Sequence, residues 1–436
     1  MQLHDVRGAM GGQPGRDTVA VDAEPAARPG GAPRGVRQHH GAILCNVAGA
    51  ADILISDFDL SDDERFLSFL PLSHAYEHTG GQFLPISVGA QIHYAEGLEK
   101  LASNIEETSP TVMVVVPRLF EVLRTRIMKQ IAKQGGAASF LMDRALEIEE
   151  RAGEKGRKRL RDRPMDLLVG RLLRPKIRAR FGGRLKAMVS GGAPLNPEVG
   201  TFFQALGLPM MQGYGQTEAG PVISCNRPSA GVSMDTVGPP MKGVEIRIAE
   251  DGEILCRGEL VMHGYWQNQP ETDRALQDGW LHTGDVGEWR DGQLKIVDRL
   301  KDIMITAGGK NLSPTEIENT IKASPYIKEC IVIGEARKYV SALIQIDFDT
   351  VAKWAEQERI AYTTFRSLTE QPQVNDLIQA EVNKGNEQLP QVAQIKRFHL
   401  LTKELDHDDD EVTATMKVRR SNIYEKYTEV IESLYA

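Results

Sequence analysis

The stretch LKAMVSGGAPLNPEVGTFFQALGLPMMQGYGQTE, residues 185–218, predicts the fold of the protein. Its first part, 185–189, has the apolar character of a buried strand, and 190–193 (Ser-Gly-Gly-Ala) is typical of a tight turn. Asn196-Pro197 predicts a helix start, with an N-cap residue followed by proline at the first helical position. A strand, a glycine turn, a helix and a second strand in that order indicate an α/β arrangement with a parallel sheet.

The sequence on either side of this stretch extends the pattern. Upstream, 111–116 predicts a buried strand that Pro117 closes, and 118–180 predicts a long helical region. Downstream, apolar and polar residues alternate from 237 to 298, which predicts a small β-rich unit.

The predicted pattern changes to mixed helices and strands after a domain boundary at about 299–301. Ser313, with Glu316 three residues later, predicts a capped helix. Strands are predicted near 330–333 and over 339–346, followed by helices to the end.

These patterns predict an α/β large domain, with parallel sheet layers plus a small β-rich unit, followed by a smaller α+β C-terminal domain. Residues 1–38 are rich in Gly, Pro, Arg and Ala without a hydrophobic period, so we expect a disordered or aberrant N-terminus there. The large domain is predicted to comprise 39–300 and the C-terminal domain 301–436.

Composition narrows the class of protein. A length of 436 residues allows two or three domains, and a net charge of -8 argues against nucleic acid as the main partner. Four widely spaced cysteines favour a reducing compartment and suggest no zinc site. We therefore expect a cytoplasmic protein.

The strongest chemical motif is QGYGQTE, residues 212–218. In an open α/β sheet, ligands bind beyond the carboxyl ends of the strands, where this loop and the 190–193 turn would both lie. Tyr214 can stack on a purine, Thr217 can bond a phosphate, and Glu218 can hold a magnesium ion. The alternative is an ordinary glycine loop with an exposed glutamate.

A second group of polar residues surrounds the domain boundary. Asp285 follows two turn-forming residues, and a buried carboxylate there could accept hydrogen bonds from vicinal ribose hydroxyls, or could form only an Asx turn. The segments 298–302 and 306–311 are rich in charged residues and glycine. At a linker, such residues often only keep the chain solvated.

In order and approximate spacing these segments resemble the AMP-forming acyl-CoA synthetases, a family that includes luciferases and peptide-synthetase adenylation domains. The resemblance covers roughly 40–436. The sequence is most similar to the long-chain fatty-acid branch of this family in four segments: 190–195 (SGGAPL), 213–218 (GYGQTE), 71–74 (PLSH) and 116–120 (VPRLF).

The resemblance implies roles for individual residues. Gly191, Gly192 and Ala193 would line the adenine and acyl pocket. Gln212, Gly213, Tyr214 and Gly215 would hold the adenine, Thr217 the α-phosphate, and Glu218 the magnesium ion. Asp285 and Arg299 would grip the ribose, with Lys310 also in the nucleotide site, and His74 would lie near the acyl tunnel. Lys301 matches the hinge of a mobile C-terminal domain, and Lys417 matches the lysine that reaches the substrate carboxylate.

One segment departs from the family pattern. The family's phosphate loop is a Ser/Thr/Gly run that ends in Gly-x-Pro-Lys-Gly, whereas here Arg34 replaces the lysine and 26–30 (AARPG) replaces the hydroxyl-rich part. We expect this change to weaken or abolish the cradle for the β- and γ-phosphates, and a truncated or frame-shifted gene start would explain it.

A basic stretch within 155–180 combines many Arg and Lys residues with leucines. Such a stretch is often only a solvated helix face, but it also suits contact with anionic lipid at the inner face of the cell membrane.

The leading expectation is therefore ATP- and magnesium-dependent activation of a long-chain fatty acid to acyl-AMP and then, with coenzyme A, to acyl-CoA. The alternatives are an inactive remnant with residual nucleotide or acyl binding, and another adenylating ligase that acts on aryl or short acids.

Overall fold

The fold is described from a computed structural model of the chain. The structure describes residues 18–21, 35–153, 159–406, 408–412 and 418–436.

The strands in chain order are β1 (Thr18–Val21), β2 (Gly35–Gln38), β3 (Arg65–Ser68), β4 (Gln91–Tyr94), β5 (Val112–Val115), β6 (Ala187–Ser190), β7 (Met210–Gly215), β8 (Val222–Cys225), β9 (Glu245–Ile248), β10 (Glu253–Arg257), β11 (Gly264–Tyr265), β12 (Leu276–Gln277), β13 (Trp280–Arg290), β14 (Gln293–Arg299), β15 (Met304–Ile305), β16 (Asn311–Leu312), β17 (Ile327–Ile333), β18 (Val340–Ile346) and β19 (Ile395–Leu400).

The α-helices are α1 (His40–Asp57), α2 (Ala75–Glu77), α3 (Leu84–Ser87), α4 (Leu101–Thr108), α5 (Pro117–Lys133), α6 (Gly136–Gly153), α7 (Arg163–Leu172), α8 (Arg174–Arg180), α9 (Pro197–Ala205), α10 (Gln269–Ala275), α11 (Pro314–Ile321), α12 (Phe348–Gln357), α13 (Phe365–Thr369), α14 (Pro372–Asn386), α15 (Arg420–Lys426) and α16 (Thr428–Ser433). A π-helical turn, His78–Phe83, joins α2 to α3, and short 3-10 turns occur at Leu160–Asp162, Thr217–Ala219, Pro228–Ala230 and Gln391–Ala393.

A six-stranded sheet forms the centre of the large domain. Its order is β4-β3-β5-β6-β7-β8, and all neighbours are parallel except the β7–β8 pair. All four residues of β5 are buried, as an apolar strand in a parallel sheet requires. The predicted parallel sheet is confirmed.

The predicted helix after the 190–193 turn is also confirmed. Asn196 is the N-cap of α9, because its side chain accepts a hydrogen bond from the Glu198 amide at 2.8 Å. Pro197 occupies the first helical position, where a missing N–H has no cost. Capping chemistry thus sets where this helix begins.

The β-rich unit lies beside the large sheet. Strands β9, β10, β12, β13 and β14 form one antiparallel sheet, in which β14 pairs with β13. Asp251-Gly252 makes the predicted turn between β9 and β10.

The C-terminal part has its own sheet and core. β17 and β18 are antiparallel, and β19 is parallel to β18. Two buried clusters built from residues between Met304 and Leu434 cover this sheet. The predicted Ser313 cap is present, since its hydroxyl accepts the Glu316 amide at 3.2 Å.

The prediction that 1–38 is a disordered segment is wrong at β1 and β2. β2 pairs with β1 on one side and with β11 on the other, and Val36 is buried among apolar residues of the β-rich unit. A four-residue strand is too short to show a hydrophobic period, and its partner β11 lies far along the chain. The remainder of that segment lies outside the described residues.

Candidate functional site

The site predicted from the sequence lies at one edge of the six-stranded sheet. The parallel strands β5, β6 and β7 all end there, so the 191–193 turn and the Thr217–Glu218 turn follow neighbouring strands. The Gly191 amide donates to the Val115 carbonyl at 3.1 Å, which ties the first turn to the end of β5. Topology therefore brings two distant motifs to one place.

The first turn is packed against an aromatic side chain. Gly191 is buried, and a Cβ atom added to it would lie 2.8 Å from Cζ of Tyr76. The Tyr76 hydroxyl donates to the Val189 carbonyl at 2.8 Å. Gly192 and Ala193 are exposed. These two residues, rather than Gly191, are accessible at the surface of the turn.

Strand β7, which precedes the second turn, contains a buried glutamine. The Gln212 side-chain amide donates to the Thr236 carbonyl at 3.2 Å, while Gly213 and Tyr214 pair with Cys225 and Ser224 of β8. Gly215 must lack a side chain, because a Cβ atom there would overlap the Pro221 carbonyl. The predicted contacts of these residues with adenine stay predictions.

Three of the predicted residues meet directly. The Tyr214 hydroxyl donates to Asp285 Oδ2 at 2.7 Å, and Arg299 Nε lies 3.6 Å from Asp285 Oδ1. Asp285 and Arg299 are Cα partners across β13 and β14. Burial, with the Asp285 charge, holds the pKa of Tyr214 well above its usual range. A neutral hydroxyl, a carboxylate and a guanidinium are thus grouped at the sheet edge.

The part of β13 just before Asp285 is held in place by a residue that the sequence did not single out. Glu253 accepts from the Gly284 amide at 2.8 Å, and its other oxygen lies 2.7 Å from His282 Nδ1. The Thr283 hydroxyl donates to the Ile254 carbonyl at 2.7 Å. No local motif marks Glu253, because its partners lie on the next strand.

The Thr217–Glu218 turn also has partners that sequence reasoning missed. The Tyr265 hydroxyl donates to Glu218 Oε1 at 2.7 Å, and the Gln38 side-chain amide donates to the Thr217 carbonyl. Both partners come from the small sheet β1-β2-β11.

The remaining predicted residues are more scattered. His74 caps α2, with its Nδ1 accepting from the Tyr76 amide at 3.2 Å. Lys301 follows β14 and is exposed, and Lys310 is exposed in the turn between β15 and β16. Lys417 lies outside the described residues, so its predicted role stays a prediction.

Glu218 is the metal-binding residue that the sequence predicts. Among the described residues, no group of three or more His, Cys, Asp or Glu side chains is arranged to hold a metal ion. Magnesium is commonly bound by one or two carboxylates together with substrate phosphates and water. The single half-buried carboxylate of Glu218 fits a site of that kind.

Two sequence profiles match the chain. The profile described as AMP-binding enzyme covers residues 30–266, and the profile described as AMP-binding enzyme C-terminal domain covers residues 301–436. The chain belongs to the family of AMP-binding enzymes.

Individual relatives narrow the resemblance. Over 384 residues the chain is 34% identical to the long-chain-fatty-acid–CoA ligase FadD15 of Mycobacterium bovis, covering 86% of this chain and 63% of that protein. It is 31% identical to long chain acyl-CoA synthetase 1 of Arabidopsis thaliana, covering 93% of this chain and 64% of that protein. The chain thus spans somewhat less than two thirds of the length of these relatives.

The fold is that of the adenylate-forming enzymes. The adenylation domain of a carboxylate reductase from Mycobacterium chelonae superposes with a TM-score of 0.69 at 20% identity, covering 96% of this chain and 59% of that one. The predicted family and fold class are confirmed.

Proposed function

We propose that the protein activates a long-chain fatty acid with ATP, first to an acyl-adenylate and then to the coenzyme A thioester. The observation that carries this proposal is the Tyr214–Asp285–Arg299 group, which joins the glycine motif to the domain boundary at the edge of the sheet. The identities to long-chain ligases support the choice of substrate.

The residues of this group suit a nucleoside. A carboxylate can accept several hydrogen bonds, so vicinal ribose hydroxyls could donate to Asp285 beside the Tyr214 hydroxyl. The Arg299 guanidinium places a positive charge beside that carboxylate, with Nε 3.6 Å from Oδ1. The exposed backbone of Gly192 and Ala193 would border the adenine and the acyl chain.

The phosphate end of the site would depend on Thr217, Glu218 and Lys417. Thr217 would donate to the α-phosphate, and Glu218 would hold magnesium. Magnesium, when bound, would neutralise charge on the phosphate oxygens. Lys417 would pair with the substrate carboxylate, because two anions must approach each other during adenylation. Rotation about Lys301 would then withdraw Lys417 and admit the thiol of coenzyme A.

The test is fatty-acid-dependent release of pyrophosphate by the full chain, by Lys417→Ala, and by a version whose 26–34 segment is replaced with a hydroxyl-rich loop ending in Gly-x-Pro-Lys-Gly. We expect activity in the original chain and its loss in Lys417→Ala. Activity that appears only after the loop is replaced would contradict a working ligase.

A second candidate function is binding without catalysis. It is favoured by Arg34 and by the Ala-Ala-Arg-Pro-Gly run at 26–30, which removes the hydroxyl groups that would hold phosphates. A chain of this kind would bind AMP or acyl-adenylate but release no pyrophosphate with any fatty acid.

We also propose peripheral contact with the inner face of the cell membrane. Leu160, Leu167 and Leu172 are exposed on the described part of the basic stretch, 159–180, among arginines that include Arg171 and Arg178. Apolar side chains beside cations favour an anionic lipid surface. Within the described residues, no helix has both the length and the apolar character that a bilayer crossing requires.

Co-sedimentation with vesicles tests this contact. We expect the protein to sediment with vesicles that contain anionic lipid and to stay in solution with neutral ones. Replacing Leu167 and Leu172 together with Ser should reduce sedimentation, and equal sedimentation with both vesicle types would count against the proposal.

A further inference from the structure

The Thr217–Glu218 turn accepts two hydrogen bonds from residues of the small sheet β1-β2-β11. In this sheet β2 pairs with β11, so that Val36 lies opposite Tyr265 and Arg37 opposite Gly264. The sheet joins the N-terminal strands to a segment just before α10.

Tyr265 supplies the contact to the carboxylate. Its ring is buried, with 6% of the residue exposed, and its hydroxyl donates to Glu218 Oε1 at 2.7 Å. Its own amide donates to Thr272 Oγ1 at 2.9 Å, which fixes the backbone from which the ring projects. The phenol is therefore a rigid donor in a defined position.

The backbone of the same turn is fixed by three further hydrogen bonds. The Met262 backbone amide donates to the Glu218 carbonyl at 2.9 Å, and the Gln38 side-chain amide donates to the Thr217 carbonyl. Asn46 Nδ2 reaches the Ala219 carbonyl at 3.3 Å. Since the backbone is already held by these bonds, the phenol of Tyr265 has a separate effect, which is to orient the side chain of Glu218.

The hydrogen bond from Tyr265 to Glu218 is compatible with metal binding by the Glu218 carboxylate. A carboxylate offers about four acceptor positions, so one donated phenol hydrogen bond leaves capacity for a cation. Groups that hydrogen-bond to metal ligands fix the ligand's orientation, and their loss commonly costs about 10- to 100-fold in metal affinity or activity.

We propose that Tyr265 is a positioning residue that orients Glu218 for the magnesium ion that accompanies ATP. This inference rests on the proposed function, because it needs a metal–nucleotide complex at Glu218. Gln38 donates a hydrogen bond to the Thr217 carbonyl and so fixes the position of Thr217, the proposed phosphate-binding residue, relative to Glu218.

The experiment is calorimetric titration of the full chain with ATP, once in magnesium and once in EDTA, for the original protein and for Tyr265→Phe. We expect Tyr265→Phe to raise the Kd about tenfold in magnesium and to leave it unchanged in EDTA. Tyr339→Phe is the matched control, because it also removes a tyrosine hydrogen bond, to the Leu434 carbonyl at 2.7 Å, far from Glu218 in the sequence. It should change neither value.

A double variant shows whether Tyr265 acts through Glu218. In a Glu218→Gln background the magnesium-dependent gain should already be lost, so adding Tyr265→Phe should change the Kd less than about twofold. A full additional tenfold loss would overturn the proposal.

Other outcomes are also decisive. An equal loss of affinity in magnesium and in EDTA would assign Tyr265 a general packing role and overturn the inference while leaving the proposed function intact. Unchanged ATP affinity in Tyr265→Phe would also overturn the inference and leave the proposed function intact. If the original chain binds no ATP in either buffer, both the inference and the proposed function fail together.

Discussion

Asp285 lies between a phenol hydroxyl and a guanidinium, with 13% of its side chain exposed. Its geometry is fixed on both sides, by Tyr214 from the glycine motif and by Arg299 from the paired strand. The Thr283 hydroxyl also accepts a hydrogen bond from the Asp285 backbone amide at 3.1 Å. At the scale of single residues, these contacts fix the position of the Asp285 carboxylate.

Asp285→Asn tests that carboxylate. Hydrogen bonds to a charged group contribute roughly 1.5–3 kcal/mol, so losing the charge should weaken AMP binding about tenfold or more. Calorimetry with AMP measures the effect. Asp291→Asn is the control, since that residue is exposed in the β13–β14 hairpin. Equal AMP affinity in the original chain and in Asp285→Asn would show that the carboxylate holds no nucleotide.

Gly191→Ala tests the close packing of the first turn. The new Cβ atom would meet Cζ of the buried Tyr76 ring at 2.8 Å, so either the ring or the turn must move. We expect the free energy of unfolding to fall by about 1–3 kcal/mol, which urea denaturation measures. Gly136→Ala, where an added Cβ atom meets nothing within 4 Å, should not lower the free energy of unfolding. A smaller loss in a Tyr76→Ala background would identify the ring as the cause, and equal losses would exclude it.

At the scale of elements, the π-helical turn His78–Phe83 follows a buried carboxyl group. Glu77 is 1% exposed, and its Oε1 accepts from the Ser68 hydroxyl at 2.5 Å. Gly81 faces this side chain, and any Cβ atom there would lie 2.3 Å from Glu77 Oε1. Burial raises the pKa of Glu77 to about 7, although the Ser68 hydrogen bond acts in the opposite direction.

This pKa predicts a pH dependence of stability. Between the ordinary glutamate value of 4.5 and about 7, the unfolded chain loses the Glu77 proton while the folded chain keeps it. The free energy of unfolding should therefore fall as pH rises through this window, by roughly 3 kcal/mol in total. Glu77→Gln removes the titration, so relative to the original chain the variant should gain stability between pH 5 and pH 8.

Urea denaturation of both proteins at the two pH values measures this gain. Glu107→Gln, on the exposed side of α4, is the matched control and should show the same pH dependence as the original chain. If Glu77→Gln also follows the original chain, Glu77 ionises normally in the folded state.

At the scale of the whole molecule, the cores divide near the end of β14. The buried clusters of the large part use residues up to Leu294, whereas those of the C-terminal part use only residues from Met304 onward. Several contacts cross the proposed boundary at 300/301, including a hydrogen bond from the Asn196 side-chain amide to the Asn319 carbonyl at 3.3 Å. Asp298 accepts from the Ser313 hydroxyl at 2.5 Å and from the Thr315 amide at 3.1 Å.

We propose that 301–436 is a folding unit whose first helix, capped by Ser313, also donates a hydrogen bond to Asp298, which lies outside the unit. The fragment 301–436 should unfold cooperatively on heating, and 297–436 should be more stable by about 1 kcal/mol because it restores the Asp298 contacts. Circular dichroism during thermal denaturation measures both fragments. Asp298→Ala in the longer fragment should remove its advantage, and a fragment without a cooperative transition would contradict the boundary.

The sequence by itself determined the features that depend on neighbours along the chain. Asn196-Pro197 sets a helix start through a local side-chain hydrogen bond and a fixed φ angle, and both act within one turn. The alternation around Asp251-Gly252 predicts a hairpin because side chains on a strand face opposite sides in turn. The motif at 212–218 indicated the family only together with the other segments, because their order and spacing are specific in combination.

Only the tertiary structure decided which side chains support that motif. Gln38, Glu253 and Tyr265 each act on a residue of another segment, and no periodicity or spacing marks them. β2 was missed for the same reason, since its stability comes from pairing with β1 and β11 rather than from its own four residues. Hydrogen bonds between distant segments exist only once the chain has folded, and the orientation of Glu218 depends on one of them.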